Sequence, residues 1–324
     1  MTSDGLRALV AAASASPSVH NVQPARWKID GDGLILLEDP TRRLMVGDPT
    51  GNDAALSLGA VAEGLVLAAS KAGYATRIER CDGDFRGLGR IARFVLYPSP
   101  DCDRLTDVLE TRASWRGPFA PPQPEDRSAA EQLAGADRII LTEDLAISSI
   151  AALYDRASFG FMDRDGFRAE LRAWMRLKRR HPQWSRDGLN ADAMKLSRLE
   201  AFAAGLVLGP LFRPLAALGL APTLLAESKS FANAAGIALF HRPADEDPFE
   251  SGRHFHRLWL EIEAAGFGAN VLAALADDPT ISAVICAQHG VPDGHRLLSA
   301  FRFGRRDGEG FAPVRLPLSE ILVD

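Results

Sequence analysis

Cysteine is scarce: Cys81, Cys102 and Cys286 are the only three in 324 residues. They are odd in number and far apart, with no Cys-x-x-Cys, which argues against a disulfide framework or a cysteine zinc site and fits a reducing cytoplasm. Blocks of like charge are also missing, and the net charge of -5 leaves nucleic-acid binding without its basic footprint. No Gly-x-Gly-x-x-Gly and no Walker-type loop occurs, so the Rossmann and P-loop readings lack their carrier. Ser16 and Ser18 lack the Gly-x-Ser-x-Gly elbow of a hydrolase nucleophile. His254 and His256, spaced i, i+2 on a helical pattern, sit about 200° apart and cannot chelate one metal together. The opening MTSDGLRALVAAASASP has an acid ahead of its apolar run and no cationic leader, and reads as a first helix. One long apolar run exists, Ala201 to Ala226. Its three prolines, three glycines and Arg213 count against a membrane span and favour a buried helical pair or a lid.

What is present is ample apolar content, 47% of residues, enough for two domains or one large one. Short branched or aromatic runs predict strands at Ile35 to Leu37, Ile91 to Tyr97, Ile139 to Thr142, Gly236 to His241, Ala283 to Ala287 and Ala300 to Phe303. Long helical patterns lie between them, which points to an α+β sandwich. Two of those helices share a pattern. GAVAEGLVLAASKAGY from Gly59 and GRHFHRLWLEIEAAGF from Gly252 both carry Leu at the seventh and ninth places and Ala-Gly-aromatic at the end, and each follows an Asp-Pro. A duplicated chain would cross these helices about a pseudo-twofold axis, with Leu65 and Leu258 in the shared interface.

Two polar segments carry the functional signal. Residues 112 to 120 read RASWRGPFA, placing Arg112, Ser114 and Arg116 at i, i+2 and i+4, where two cations and a hydroxyl can meet one phosphorylated ligand. Residues 16 to 27 read SPSVHNVQPARW, a rigid polar loop after an Ala-rich helix. Together they resemble the nitroreductase family of flavin enzymes, with its Arg-x-Ser-x-Arg/Lys element and Ser-Pro-Ser-x-x-Asn-x-Gln-Pro loop, and the resemblance is closest to the Acg-like branch. The Arg-Leu-Pro at 315 to 317 matches a third family element. Four positions depart from the pattern: Ala25, Ala113, Ala273 and Pro313 stand where relatives often carry aromatic, basic, acidic and basic residues.

The resemblance implies a nitroreductase-like fold of two related halves, residues 1–108 and 109–324, forming a pseudo-dimer with a helical insert or lid at about 165–230. It implies bound FMN, held at its phosphate by Arg112 and Arg315, with Ser114 adding a hydroxyl. Arg116 would be the catalytic cation beside the anionic reduced ring, and Pro17, Ser18, Val19 and Asn21 would contact the flavin from the loop. The reaction implied is hydride transfer from NAD(P)H to a nitroaromatic, quinone or similar conjugated acceptor, in the cytoplasm, with a homo-oligomer compatible. A flavin-sequestering protein without turnover, and a specialised flavin dehydrogenase or reductive dehalogenase, are the alternatives. Glu110 reads as an ion partner for Arg112.

Overall fold

The computed structural model describes residues 1–324. Helix α1 (Ser3–Ala13) begins where the Thr2 hydroxyl accepts the Gly5 N–H and turns Leu6, Leu9, Val10 and Ala13 into the core. After a polar loop, β1 (Ala25–Asp30) and β2 (Gly33–Glu38) form an antiparallel hairpin, its turn made at Gly31 with φ 63°. Helix α2 (Asn52–Lys71) follows, then β3 (Tyr74–Arg80), β4 (Asp84–Phe85) and β5 (Leu88–Pro98). The main strands order as β1-β2-β5-β3, every pair antiparallel.

The chain continues with α3 (Pro124–Glu131), β6 (Arg138–Leu141) and α4 (Asp144–Met162). An inserted region carries α5 (Asp165–Trp174), a two-residue parallel pair β7 (Met175–Arg176) and β8 (Leu189–Asn190), and the short helices α6 (Arg198–Val207), α7 (Phe212–Ala217) and α8 (Ala221–Leu225). The chain then runs through β9 (Gly236–Pro243), α9 (Pro248–Ala264), β10 (Gly268–Val271), α10 (Ala274–Asp277), α11 (Pro279–His289) and β11 (His295–Gly304), and ends with α12 (Leu318–Ile321). The second sheet orders as β6-β9-β11-β10, again all antiparallel. Strand for strand this repeats the first sheet, and in each the long helix, α2 or α9, joins the second strand in the chain to the far edge strand.

The two long helices cross at their glycines. A Cβ on Gly59 would lie 1.9 Å from the Phe249 carbonyl oxygen, and one on Gly252 would lie 2.1 Å from that of Leu56. Backbones approach this closely only where neither helix carries a side chain. Leu65 and Leu258 are buried as expected but do not share the crossing: Leu65 joins the core over the first sheet and Leu258 the aromatic core over the second. The C-terminal segment returns to the first half, with Leu316 and Ile321 in its core and the Val323 N–H donating to the Trp27 carbonyl.

Two expectations are corrected. Ala283 to Ala287 is helical, inside α11, because Asp278 caps its first N–H groups and Pro279 opens it, overriding a short apolar run that suits either state. The run Ala201 to Ala226, expected as a buried helical pair or a lid, breaks into three short helices at Gly209-Pro210 and Gly219; Leu208 and Phe212 are buried, Leu206 is half-buried and Leu211 is exposed. One helix is long and apolar enough to cross a membrane by composition, α2, and it lies inside the fold.

Candidate functional site

The loop between α1 and β1 is held in a conformation that ordinary residues avoid. His20, Asn21 and Gln23 have φ of 45°, 55° and 55°, each costing on the order of 1–3 kcal/mol unless neighbours over-determine it. Those neighbours are present. The Ser18 hydroxyl accepts the Gln23 N–H at 3.0 Å, and the Val19 N–H donates to the Ser57 hydroxyl at 3.2 Å. The Asn21 amide donates to the carbonyls of Gly188 and Val314, and the Gln23 amide donates to the Arg186 carbonyl at 2.8 Å while accepting the Leu316 N–H. Residues far apart in the chain, Ser57, Arg186 with Gly188, and Val314 with Leu316, therefore meet on this loop. Pro17 stands at its start, before the residues that bend.

Arg112 and Arg315 converge at its N-terminal edge, each donating to the Ala15 carbonyl at 2.8 Å. Neither forms an ion pair with a carboxylate, and Glu110, the expected partner, is exposed and unengaged with Arg112. Burial, together with the repulsion of Arg315, lowers the Arg112 pKa to about 9, and burial lowers that of Arg315 to about 10. Arg112 is buried and Arg315 half-buried beside it, with Glu263 the only carboxylate that acts on Arg112 and no ion pair formed, so the pair favours an anion between them. Arg112 also lies over the Trp259 ring at 4.4 Å. Its Nε–H has no partner, and neither has the buried Ser16 hydroxyl. These orphaned groups fit a phosphate, with Arg112 holding spare donors for it. Arg315 differs from expectation: its donors go to the carbonyls of Ser14, Ala15, Ser16 and Val314 and to Asn21 Oδ1, so it clamps the loop as well as charging the site. His256 stands near both arginines, its Nδ1 2.7 Å from the Ala60 carbonyl and its Nε2 buried without a partner. Burial first and Arg112 second hold its pKa down to about 3.

Arg116 lies at a second place. The 112–116 segment is non-helical and Ser114 bridges Ala269 on β10, with the Trp115 N–H donating to the Ala269 carbonyl at 2.7 Å. The charges that act on Arg116 are Glu227 and Tyr154, whereas those that act on Arg112 are Arg315 and Glu263, so the two arginines have different surroundings. Arg116 makes no hydrogen bond or ion pair with the protein and is only half-buried, yet burial lowers its pKa. Glu227 and Tyr154 are its titratable neighbours: burial raises the Glu227 carboxyl pKa, and burial pushes the Tyr154 phenol up. His20, in the strained loop, is held neutral to about pH 4 by burial and then by Arg116. Arg302 on β11 faces the same group and donates to the Ser230 carbonyl.

The structure thus brings Arg112 and Arg315 together, places Arg116 apart from them, and keeps Ser18, Val19 and Asn21 as the supports of the loop. Tyr154, Glu227 and Arg302 were not legible as site residues, since each lies on an element without a motif; only the polarity of Glu227 and Ser230 after the apolar run offered a hint.

No family model matches the chain. The candidate NAD(P)H nitroreductase acg of Mycobacterium tuberculosis is 29% identical over 183 residues, 54% of this chain and 55% of that protein. A second candidate NAD(P)H nitroreductase of that organism, Rv3131, is 24% identical over 173 residues, 52% of this chain and 50% of its own. The chain thus matches about half the length of these curated relatives. The sequence likeness is to the nitroreductase family, as the motifs imply. Among solved structures, a Bacteroides fragilis nitroreductase with bound FMN covers 68% of this chain and 99% of its own at 11% identity and a TM-score of 0.40. A candidate nitroreductase of Anabaena variabilis covers 94% and 88% at 12% identity and a TM-score of 0.41. Superpositions at this level describe a loose likeness of shape.

Proposed function

We propose that the chain is an FMN-dependent oxidoreductase that takes hydride from NAD(P)H and passes it to a nitroaromatic, quinone or similar conjugated acceptor. The observation that carries this is the pair Arg112, buried, and Arg315, half-buried, two guanidinium groups that form no ion pair with a carboxylate, set against the loop whose sequence matches the family's. The kinship with the M. tuberculosis proteins supports the same reading.

When bound, FMN supplies the hydride-accepting and hydride-donating chemistry at its ring. The chain's residues supply position and charge. Arg112 holds the phosphate through its spare donors, and Arg315 adds charge while fixing Ser14 to Ser16 and Asn21. Ser114 offers its hydroxyl between the arginines. Arg116, free of any protein partner, places a preorganised cation where negative charge develops on reduction, an effect worth roughly 3 kcal/mol. Pro17, Ser18, Val19 and Asn21 would contact the flavin from the loop that the Ser18 and Asn21 hydrogen bonds hold in place. The two halves, 1–108 and 109–324, act as a pseudo-dimer in this reading, supported by the matching strand orders and the glycine crossing. The insert at 165–230 covers the loop, and the protein works in the cytoplasm.

A second reading, a flavin store, is favoured by one observation. The insert is tied to the loop by Asp187, buried between Arg176 at 2.8 Å and Arg42 at 3.1 Å, beside the Gly188 and Arg186 contacts to Asn21 and Gln23. A cover anchored this way resists opening. Titration of the purified protein with FMN tests the common part of both readings: stoichiometric binding is expected, and no binding at micromolar FMN overturns them.

A further inference from the structure

An open cavity lies away from the loop, in the insert, between the end of α5, residues 175–182 and α6; it measures about 430 Å³. That is within the range of small-ligand pockets. Its charged lining is of one sign: Arg172, Lys178, Arg180 and His181 surround it and no acidic residue does. The remaining walls include Met175, Leu177 and Pro182.

Several cations of the insert are neutralised, Arg168 by Asp165, Arg176 by Asp187, Arg179 by Asp192, Arg186 by Glu320 and Arg213 by Asp165, while Arg164, Lys195 and Arg198 outside the cavity have no ion pair. What distinguishes the cavity is that its unpaired cations share one concave lining. Arg172, Lys178 and Arg180 form no ion pair, although Arg179 between the last two does. His181 accepts the Gln183 N–H at Nδ1 (3.1 Å), which leaves Nε2 as its hydrogen-bond donor. Three unpaired cations and a ring N–H around one concavity repel one another and gain from a multivalent anion. The apolar wall formed by Met175, Leu177 and Pro182 suits a flat ring carried by that anion.

We infer that this cavity binds a phosphorylated nucleotide, its phosphate on Arg172, Lys178 and Arg180 and its base against Met175, Leu177 and Pro182. None of these residues belongs to the flavin site, so a free nucleotide here stands apart from the flavin proposal, whereas the NADPH source rests on it. The shared chemistry, an adenosine phosphate, has two sources: a free mononucleotide, or the phosphate-bearing adenosine end of NADPH.

The test is calorimetric titration of the full chain with adenosine 2′,5′-bisphosphate, with inorganic pyrophosphate as a second probe. Binding should weaken by about tenfold or more in the Arg172→Ala, Lys178→Ala, Arg180→Ala triple variant, and should be unchanged in Arg179→Ala, whose charge is already paired. All four positions are exposed, so matching melting temperatures will show that the variants remain folded. No binding of either probe, or equal binding in the triple variant, overturns the inference. Where binding is confirmed, displacement of the bisphosphate by NADPH but not NADH identifies the dinucleotide as source, and failure of NADPH to displace it identifies a free nucleotide.

Discussion

Gly59 and Gly252 face one another across the crossing of the two central helices, each against the other helix's backbone carbonyls at distances no Cβ can occupy. Gly59→Ala or Gly252→Ala must push the helices apart and open both cores beside them. Each should cost about 3 kcal/mol or more, since overpacking against backbone has no flexible atom to yield. Urea unfolding measures it; a change within about 0.5 kcal/mol would show that the crossing is not close-packed.

Arg112→Ala removes the buried guanidinium with spare donors at the loop's N-terminal edge. FMN affinity should fall by roughly 10- to 100-fold, the equivalent of about 1.5–3 kcal/mol for a charge-assisted hydrogen bond. Arg112→Lys should fall between, because it keeps the charge and loses the fork. Flavin fluorescence quenching reads both, and unchanged affinity in Arg112→Ala would remove the phosphate assignment.

His256 gives the chain a signature in acid. Its pKa is about 3 in the fold against 6.5 as the ordinary value. The unfolded chain therefore binds this proton first, so stability is full above about pH 6.5 and is lost as pH falls from there towards 3. His20, at about 4, acts in the same direction over a narrower window. His256→Gln should flatten the decline by about 1.4 kcal/mol per pH unit within the window. Urea midpoints from pH 7 to pH 4 test this; parallel curves for the two proteins would contradict it.

Asp187→Asn leaves Arg176 and Arg42 facing each other without their shared carboxylate. Breaking a buried pair costs about 3–5 kcal/mol, and here the loss falls on the anchor of the insert. Limited proteolysis should cut the variant first within 175–195, several-fold faster than the parent. An unchanged cleavage pattern would mean that the insert is held by its apolar contacts instead.

The strands rich in branched residues, β2, β5 and β9, were legible because their patterns match burial on a sheet, and the Gly59 and Gly252 helices because their repeats match a packing need. Strand β3, reading YATRIER, alternates weakly and is half-buried, so its signal is faint. The Ala283 segment misled because an apolar run that short suits helix or strand, and the deciding Asp278-Pro279 cap lies outside it. At the site, Arg112, Arg116 and Arg315 lie in recognisable motifs. Tyr154, Glu227 and Arg302 come to Arg116 only through tertiary packing of α4, the end of the insert and β11, which no local spacing encodes.

The most direct measurement is anaerobic mixing of the purified, flavin-loaded protein with excess NADPH or NADH, followed at the flavin band near about 450 nm. The band should bleach, and should return when a nitroaromatic or quinone is added under the same anaerobic conditions. A band that neither nucleotide bleaches, in the intact protein and equally in a folded variant with residues 196–228 replaced by a short Gly/Ser linker, would contradict the oxidoreductase and leave a flavin store.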